Sequence, residues 1–161
     1  MELYYTNLIL NNGNYRRNLS LLRDLEKDRI FCRHDIQHFL NVARITVILC
    51  NDRGVEASRD LIYSAALLHD FGRIQEQLSG VPHHIAGQET AAEILDEVGC
   101  PEEMKQQIIG MIASHRSSAP KHNELEEIFC EADKRSRLCL ECGAESLCNW
   151  AGDKKNLDIE V

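Results

Sequence analysis

The adjacent pair His69-Asp70 closes an apolar run, Leu-Ile-Tyr-Ser-Ala-Ala-Leu-Leu at 61–68, and this placement constrains the chain more than any other feature. A carboxylate carried into a core on the end of an apolar helix is costly to desolvate unless a counter-charge meets it, and a divalent cation is the usual compensation. Four further metal-capable residues, His38, His84, His115 and Asp133, lie on or beside other predicted helices. A core that holds several imidazoles and two carboxylates needs a common partner.

Hydrophobic spacing reads as helix along the chain. Residues 14–29 carry Leu19, Leu22 and Leu25 near helical period, and 36–51 put His38, Val42, Ile45 and Leu49 on one stripe, with Gly54 in the loop that follows. A third helix is predicted over 56–70, with His69 on the face of Ile62, Ala65 and Ala66, and Phe71-Gly72 as its stop signal. A fourth covers 86–98 and is closed by Gly99; Pro101-Glu102-Glu103 opens a fifth, whose stripe runs Met104, Ile108, Met111, His115. Asn123 caps a sixth, carrying Leu125, Ile128, Phe129 and Ala132, with Asp133 one turn past Phe129. No segment alternates as a strand would, and the prolines at 82, 101 and 120 fall in loops or at a helix start. The expected fold is all-α, a compact single-domain bundle of about six helices. Residues 1–138 form the helical metal-binding part, and 139–161 a short cysteine-containing cap rather than a separate domain.

With 161 residues the chain has single-domain length, and 43% apolar residues suffice for a real core. A net charge of −8 argues against a nucleic-acid duplex as partner, although a metal and a few arginines can still make a local site for a small anion. There is no apolar run long enough for a bilayer, and the polar start Met-Glu-Leu-Tyr-Tyr-Thr-Asn lacks the order of a signal peptide, so the cytoplasm is the expected compartment. The seven scattered cysteines are odd in number and read as reduced thiols rather than a disulfide framework.

Taken singly, each histidine on an apolar helix face reads as a hydrogen-bonded core residue, and Asp133 as an ion pair with Arg135 or Arg137. Their joint occurrence favours a cation: imidazole nitrogen with carboxylate oxygen suits Fe, Mn, Zn, Co or Ni better than Ca or Mg. His34, four residues before His38, reads as a helix-entry residue rather than a ligand.

Three segments carry a family resemblance: His38-Phe-Leu-Asn-Val-Ala-Arg44, Ala65-Ala-Leu-Leu-His-Asp-Phe-Gly-Arg73 and Glu131-Ala-Asp133. Their order resembles the HD-domain metal-dependent phosphohydrolases over residues 34–137. The resemblance implies that His38, His69, Asp70 and Asp133 hold one divalent ion. His84 and His115 would be the added ligands of a two-ion form, with Asp70 bridging and His83 the alternative to His84. It further implies catalytic roles for Asp70, His84 and His115, with hydrolysis of a small nucleotide or related phosphate ester by a hydroxide that the metals make available. Arg73 and Lys134 are the candidate substrate-binding cations, although a solvated face is the plainer reading of Lys134.

The acidic pair that alarmone hydrolases carry after the doublet is replaced here by Phe-Gly-Arg-Ile, and no Gly-Tyr-Pro block of the cyclic dinucleotide branch is present. The ligand order looks instead like the dinucleoside polyphosphate branch with its di-iron centre, except that Lys-Arg-Ser-Arg follows the late aspartate. A non-catalytic metal-bound sensor or scaffold is the reading from another class. In the tail, Cys139, Cys142 and Cys148 precede Trp150. They read as small residues packing a cap, or as a structural metal site or redox-sensitive cluster with Cys130 as a fourth ligand.

Overall fold

The computed structural model describes residues 3–116 and 118–159. In chain order its α-helices are α1 (Tyr4–Asn11), α2 (Gly13–Leu25), α3 (Ile36–Arg53), α4 (Arg59–Leu68), α5 (Gly72–Ser79), α6 (His83–Glu97), α7 (Glu102–Ser114) and α8 (Glu124–Arg135). Three short 3-10 turns follow, and no strand occurs among the described residues. The fold is all-α, and the described residues form eight α-helices where periodicity predicts six.

The organising element is α4, which buries seven of its ten residues and is therefore surrounded on nearly every side. It packs against α1, α3 and α7, while α8 lies on α3 and α7, and α6 lies between α5 and α7. Phe39, Phe71, Phe129 and Tyr15 are fully buried, with Ile94, Leu95, Ile108 and Ile112 filling the space between helices. No described helix is long and apolar enough to cross a membrane.

Local chemistry sets several helix ends. The Asp35 carboxylate accepts the His38 backbone N–H at 3.0 Å and so starts α3, the helix that carries His38 as a candidate ligand. Asn123 accepts the Glu126 N–H at 2.9 Å, while the Glu126 carboxylate accepts the His122 N–H at 2.8 Å, a reciprocal cap on α8. Gly54 and Gly80 take left-handed conformations after α3 and α5.

The two additional helices depend on long-range partners. The first amides of α1, at Tyr5 and Thr6, donate at 2.9 and 2.8 Å to the carboxylate of Asp60 in the first turn of α4. Gly72 does not stop a helix but begins α5, at its crossing with α6. A Cβ on Gly72 would lie 1.8 Å from the His83 carbonyl oxygen and 2.5 Å from the Gly87 nitrogen. Only a glycine fits there, and this approach seats the start of α6 against the start of α5. Helix α2 ends at Leu25, short of residue 29, where Glu26 turns its carboxylate inward to His34.

Packing changes after α8. Beyond Ala132 the only buried apolar residue among those described is Ala144, and Leu138, Leu140, Leu147, Leu157 and Ile159 are exposed. The tail is tied instead by polar bonds: the Asn156 side-chain amide donates to the Lys134 and Arg137 carbonyls at 2.8 and 2.9 Å.

Candidate metal centre

Five elements end at one point. His38 stands in the first turn of α3, His69 and Asp70 directly after α4, His83 at the start of α6, His115 directly after α7, and Asp133 in the last turn of α8. Helix ends, where the backbone leaves its axis, present these side chains to one another while the helix bodies fill the core.

Asp70 is the hub, and its two carboxylate oxygens face different neighbours. Oδ2 lies 3.0 Å from His69 Nε2 and 3.2 Å from His38 Nε2; Oδ1 lies 2.6 Å from Arg73 Nε and 3.8 Å from His115 Nε2. On the Oδ2 side Asp133 Oδ1 approaches His38 Nε2 at 3.4 Å and His69 Nε2 at 3.8 Å. Two donor sets result, His38–His69–Asp70–Asp133 and Asp70–His83–His115, each with its ligand atoms within 4.8 Å of one another. They share Asp70.

The imidazoles are oriented from behind. His69 Nδ1–H donates to the Ala66 carbonyl at 2.8 Å and His115 Nδ1–H to the Ile112 carbonyl at 2.6 Å, which turns Nε2 of both rings toward Asp70. Those two Nε2 atoms are buried and lack a hydrogen-bond partner. A buried polar atom without a partner is costly, and two such atoms facing one carboxylate fit a cation that accepts both. His38 Nδ1 meets the Ser136 hydroxyl at 3.0 Å, and that hydroxyl donates to the Asp133 carbonyl at 2.6 Å. The donor set of imidazoles and carboxylates matches a divalent transition metal.

Charge follows the same geometry. Burial would push Asp70 and Asp133 up, yet Arg73 and His69 beside Asp70, and His38 and His69 beside Asp133, hold both well below the usual carboxylate range. Burial opposes a charge on His69, but the Asp70 and Asp133 carboxylates outweigh it and raise the ring to about 10. Burial, with His69 close by, lowers His115 to about 3. Without metal the centre therefore holds two ionised carboxylates, a charged His69 in the first donor set and a neutral His115 in the second.

Of the residues singled out from sequence, His38, His69, Asp70, Asp133 and His115 come together. His84 does not. Its neighbour His83 lies 5.0 Å from His115 between ring centroids and belongs to the second donor set, with its Nδ1 held by Glu76 at 3.0 Å. The structure thus groups His83, the alternative weighed from sequence, rather than His84 with Asp70 and His115: adjacent helical residues point about 100° apart, and Glu76 holds the His83 ring. Lys134, the other candidate substrate-binding cation, is engaged within its own helix. Its ammonium donates to the Cys130 carbonyl at 2.9 Å and meets the Cys130 sulfur at 2.7 Å. Arg137 instead reaches Asp133, at 3.8 Å, and with Arg73 it lines a cavity of 280 Å³.

His34, read from sequence as a helix-entry residue rather than a ligand, also borders the centre. It precedes α3, is buried, and binds Glu26 at 2.6 Å through Nδ1, with Nε2 4.0 Å from Asp70. The signal available was only its spacing from His38, which suggested a helix that starts one turn too early.

Comparison with known proteins agrees with this geometry. The HD domain family model matches residues 35–138. A protein of Clostridium beijerinckii (strain ATCC 51743 / NCIMB 8052), described as an uncharacterized protein, is 37% identical over 153 residues, covering 95% of this chain and 96% of the relative. No solved structure matches the chain. The matched segment spans every member of both donor sets, and the chain belongs to the HD-domain family of metal-dependent phosphohydrolases.

Proposed function

We propose that this protein hydrolyses a small phosphate ester or anhydride of a nucleotide at the Asp70 centre. One observation carries the reading: two donor sets share Asp70, and each includes an inward imidazole Nε2 without a partner. His38, His69, Asp70 and Asp133 would hold one divalent ion, and Asp70, His83 and His115 a second. Such ions, when bound, supply an acidified water and Lewis-acid stabilisation of a phosphoryl oxygen.

The chain's own residues account for binding and orientation. Arg73 and Arg137 stand beside the two carboxylates and line the same cavity, so an entering phosphate meets cations before it meets the acids. His34 lines that cavity too, its ring fixed by Glu26, and offers Nε2 as a polar contact beside Asp70. The Ala66 and Ile112 carbonyls keep His69 and His115 from turning away. Burial of the donors keeps bulk water from competing for them.

The ligand order resembles the branch that cleaves dinucleoside polyphosphates, which places these first among the substrates to test. A panel of nucleoside mono-, di- and triphosphates, cyclic dinucleotides and dinucleoside tetraphosphates, incubated with manganese- or iron-loaded protein and read by chromatography, tests this. Turnover of a phosphoanhydride that Asp70→Asn lacks is expected. Absence of hydrolysis of every compound by loaded wild-type protein would remove the proposal.

A further inference from the structure

The segment after α8 is ordered with almost no core of its own. Its 3-10 turns Cys139–Glu141, Glu145–Leu147 and Gly152–Lys154 contain no buried residue. A stretch with one buried alanine and a row of exposed leucines gains too little from apolar burial to offset its loss of conformational freedom. Short segments of this kind are generally held by disulfides or a metal.

The cysteines supply the means. Cys130 does not join the tail thiols, because it is buried in α8 under the Lys134 ammonium. Cys32, from the stretch between α2 and α3, takes that place. Cys32, Cys139 and Cys148 line the 280 Å³ cavity together, and Cys32 and Cys142 line its 240 Å³ neighbour, so the four thiols surround the partition between the two. Cys32 is near enough to Cys139 and Cys142 for their charges to act on one another. All four are half-buried and free, unlike the buried Cys50 and Cys130.

We propose that Cys32, Cys139, Cys142 and Cys148 form a second metal centre, an iron–sulfur cluster that fastens the tail to the segment entering α3. The spacing favours a cluster over a single zinc ion. Tetrahedral zinc, at about 2.3 Å from each thiolate, draws its sulfurs to within about 4 Å of one another. The thiols here are set wider than the His and carboxylate donors of the Asp70 centre, since no three of them fall within 4.8 Å among the described residues. A cubane whose irons each take one thiolate accepts that wider frame, and the local run Cys139-x2-Cys142-x5-Cys148 with one distant fourth cysteine suits its corners. Each thiol would release its proton on binding, and the resulting negative charge faces Arg29, Arg137 and Lys155 on the same cavity wall. Trp150, stacked under the Arg137 guanidinium at 3.9 Å, shields one side.

This site borders the same cavity and shares Arg137 with the proposed phosphate path, but acid-labile sulfide separates the two readings, because the Asp70 centre contains none. Protein purified without oxygen should carry about four sulfides per chain and a broad visible absorption band. Both should persist in Asp70→Asn and Cys130→Ser and be lost in Cys32→Ser and Cys148→Ser. Zinc without sulfide in the wild type would overturn the cluster; full sulfide in Cys32→Ser would overturn the ligand set. If the serine variants do not fold, pulsed alkylation of the wild type decides. Cys32, Cys139, Cys142 and Cys148 should be protected together and become reactive together after acid extraction of the metal. Independent labelling rates before extraction would refute the site.

Discussion

The Asp70 centre and the thiol-bearing tail are both suited to metal, yet they are built in opposite ways. The first stands where five elements meet, with its imidazoles fixed by carbonyls and its carboxylates deep in a packed core. Apolar packing of α3, α4, α7 and α8 assembles that site, and a cation then relieves the orphaned nitrogens. The tail has thiols in place but hardly any packing, so there the metal would do the assembling. The contrast separates a site that a fold makes from a fold that a site makes.

The largest effect that can break this contrast is expected at the hub. Asp70→Asn keeps the side-chain volume and removes the charge shared by both donor sets. Activity should fall by about 10³-fold or more, and both ions should be lost, while the helical content stays near wild type. Far-UV circular dichroism beside metal analysis checks this; collapse of the helices would mean that the metal, not the packing, builds the core.

Next in size is Gly72→Ala. The added methyl meets backbone on α6, which cannot move aside as a side chain would, and a loss of about 3 kcal/mol or more in urea unfolding is expected. A neutral result would show that α5 and α6 do not approach so closely and that His83 is seated by something else.

Exchange at the adjacent histidines sharpens the donor set. His83→Gln should lower turnover by about 10- to 100-fold with loss of one ion, and His84→Gln by less than about threefold. The reverse order would restore His84 as the ligand.

These variants also mark how far the sequence could be read. The regular helices α3, α6, α7 and α8 are legible because apolar spacing and a cap such as Asn123 are local. Helix α1 is not, since its capping carboxylate comes from Asp60 on α4. Gly72 has the residue type of a helix stop, and only the proximity of α6 reveals it as a contact point. His38, His69, Asp70, His115 and Asp133 stand out by residue type on apolar stripes. The choice between His83 and His84 rests on Glu76, and the partnership of Cys32 with the tail rests on tertiary approach. Neither leaves a periodic trace.

A smaller effect concerns pH. In the metal-free chain the charged His69 stabilises the fold fully below about 6.5, and this contribution is lost as pH rises through about 10. Metal must expel that proton, so affinity at the Asp70 centre should rise with pH by about tenfold per unit for each proton displaced. Calorimetry in buffers of different ionisation enthalpy measures the release; pH-independent affinity would mean that His69 is already neutral.

The most direct test is a titration of stripped protein with manganese while phosphate release from the best substrate is followed. Activity should be absent at the start, rise with the ions bound at the Asp70 centre, and stay absent in Asp70→Asn at every metal concentration. Turnover that survives stripping, or that Asp70→Asn retains at saturating metal, would contradict the assignment of hydrolysis to this centre.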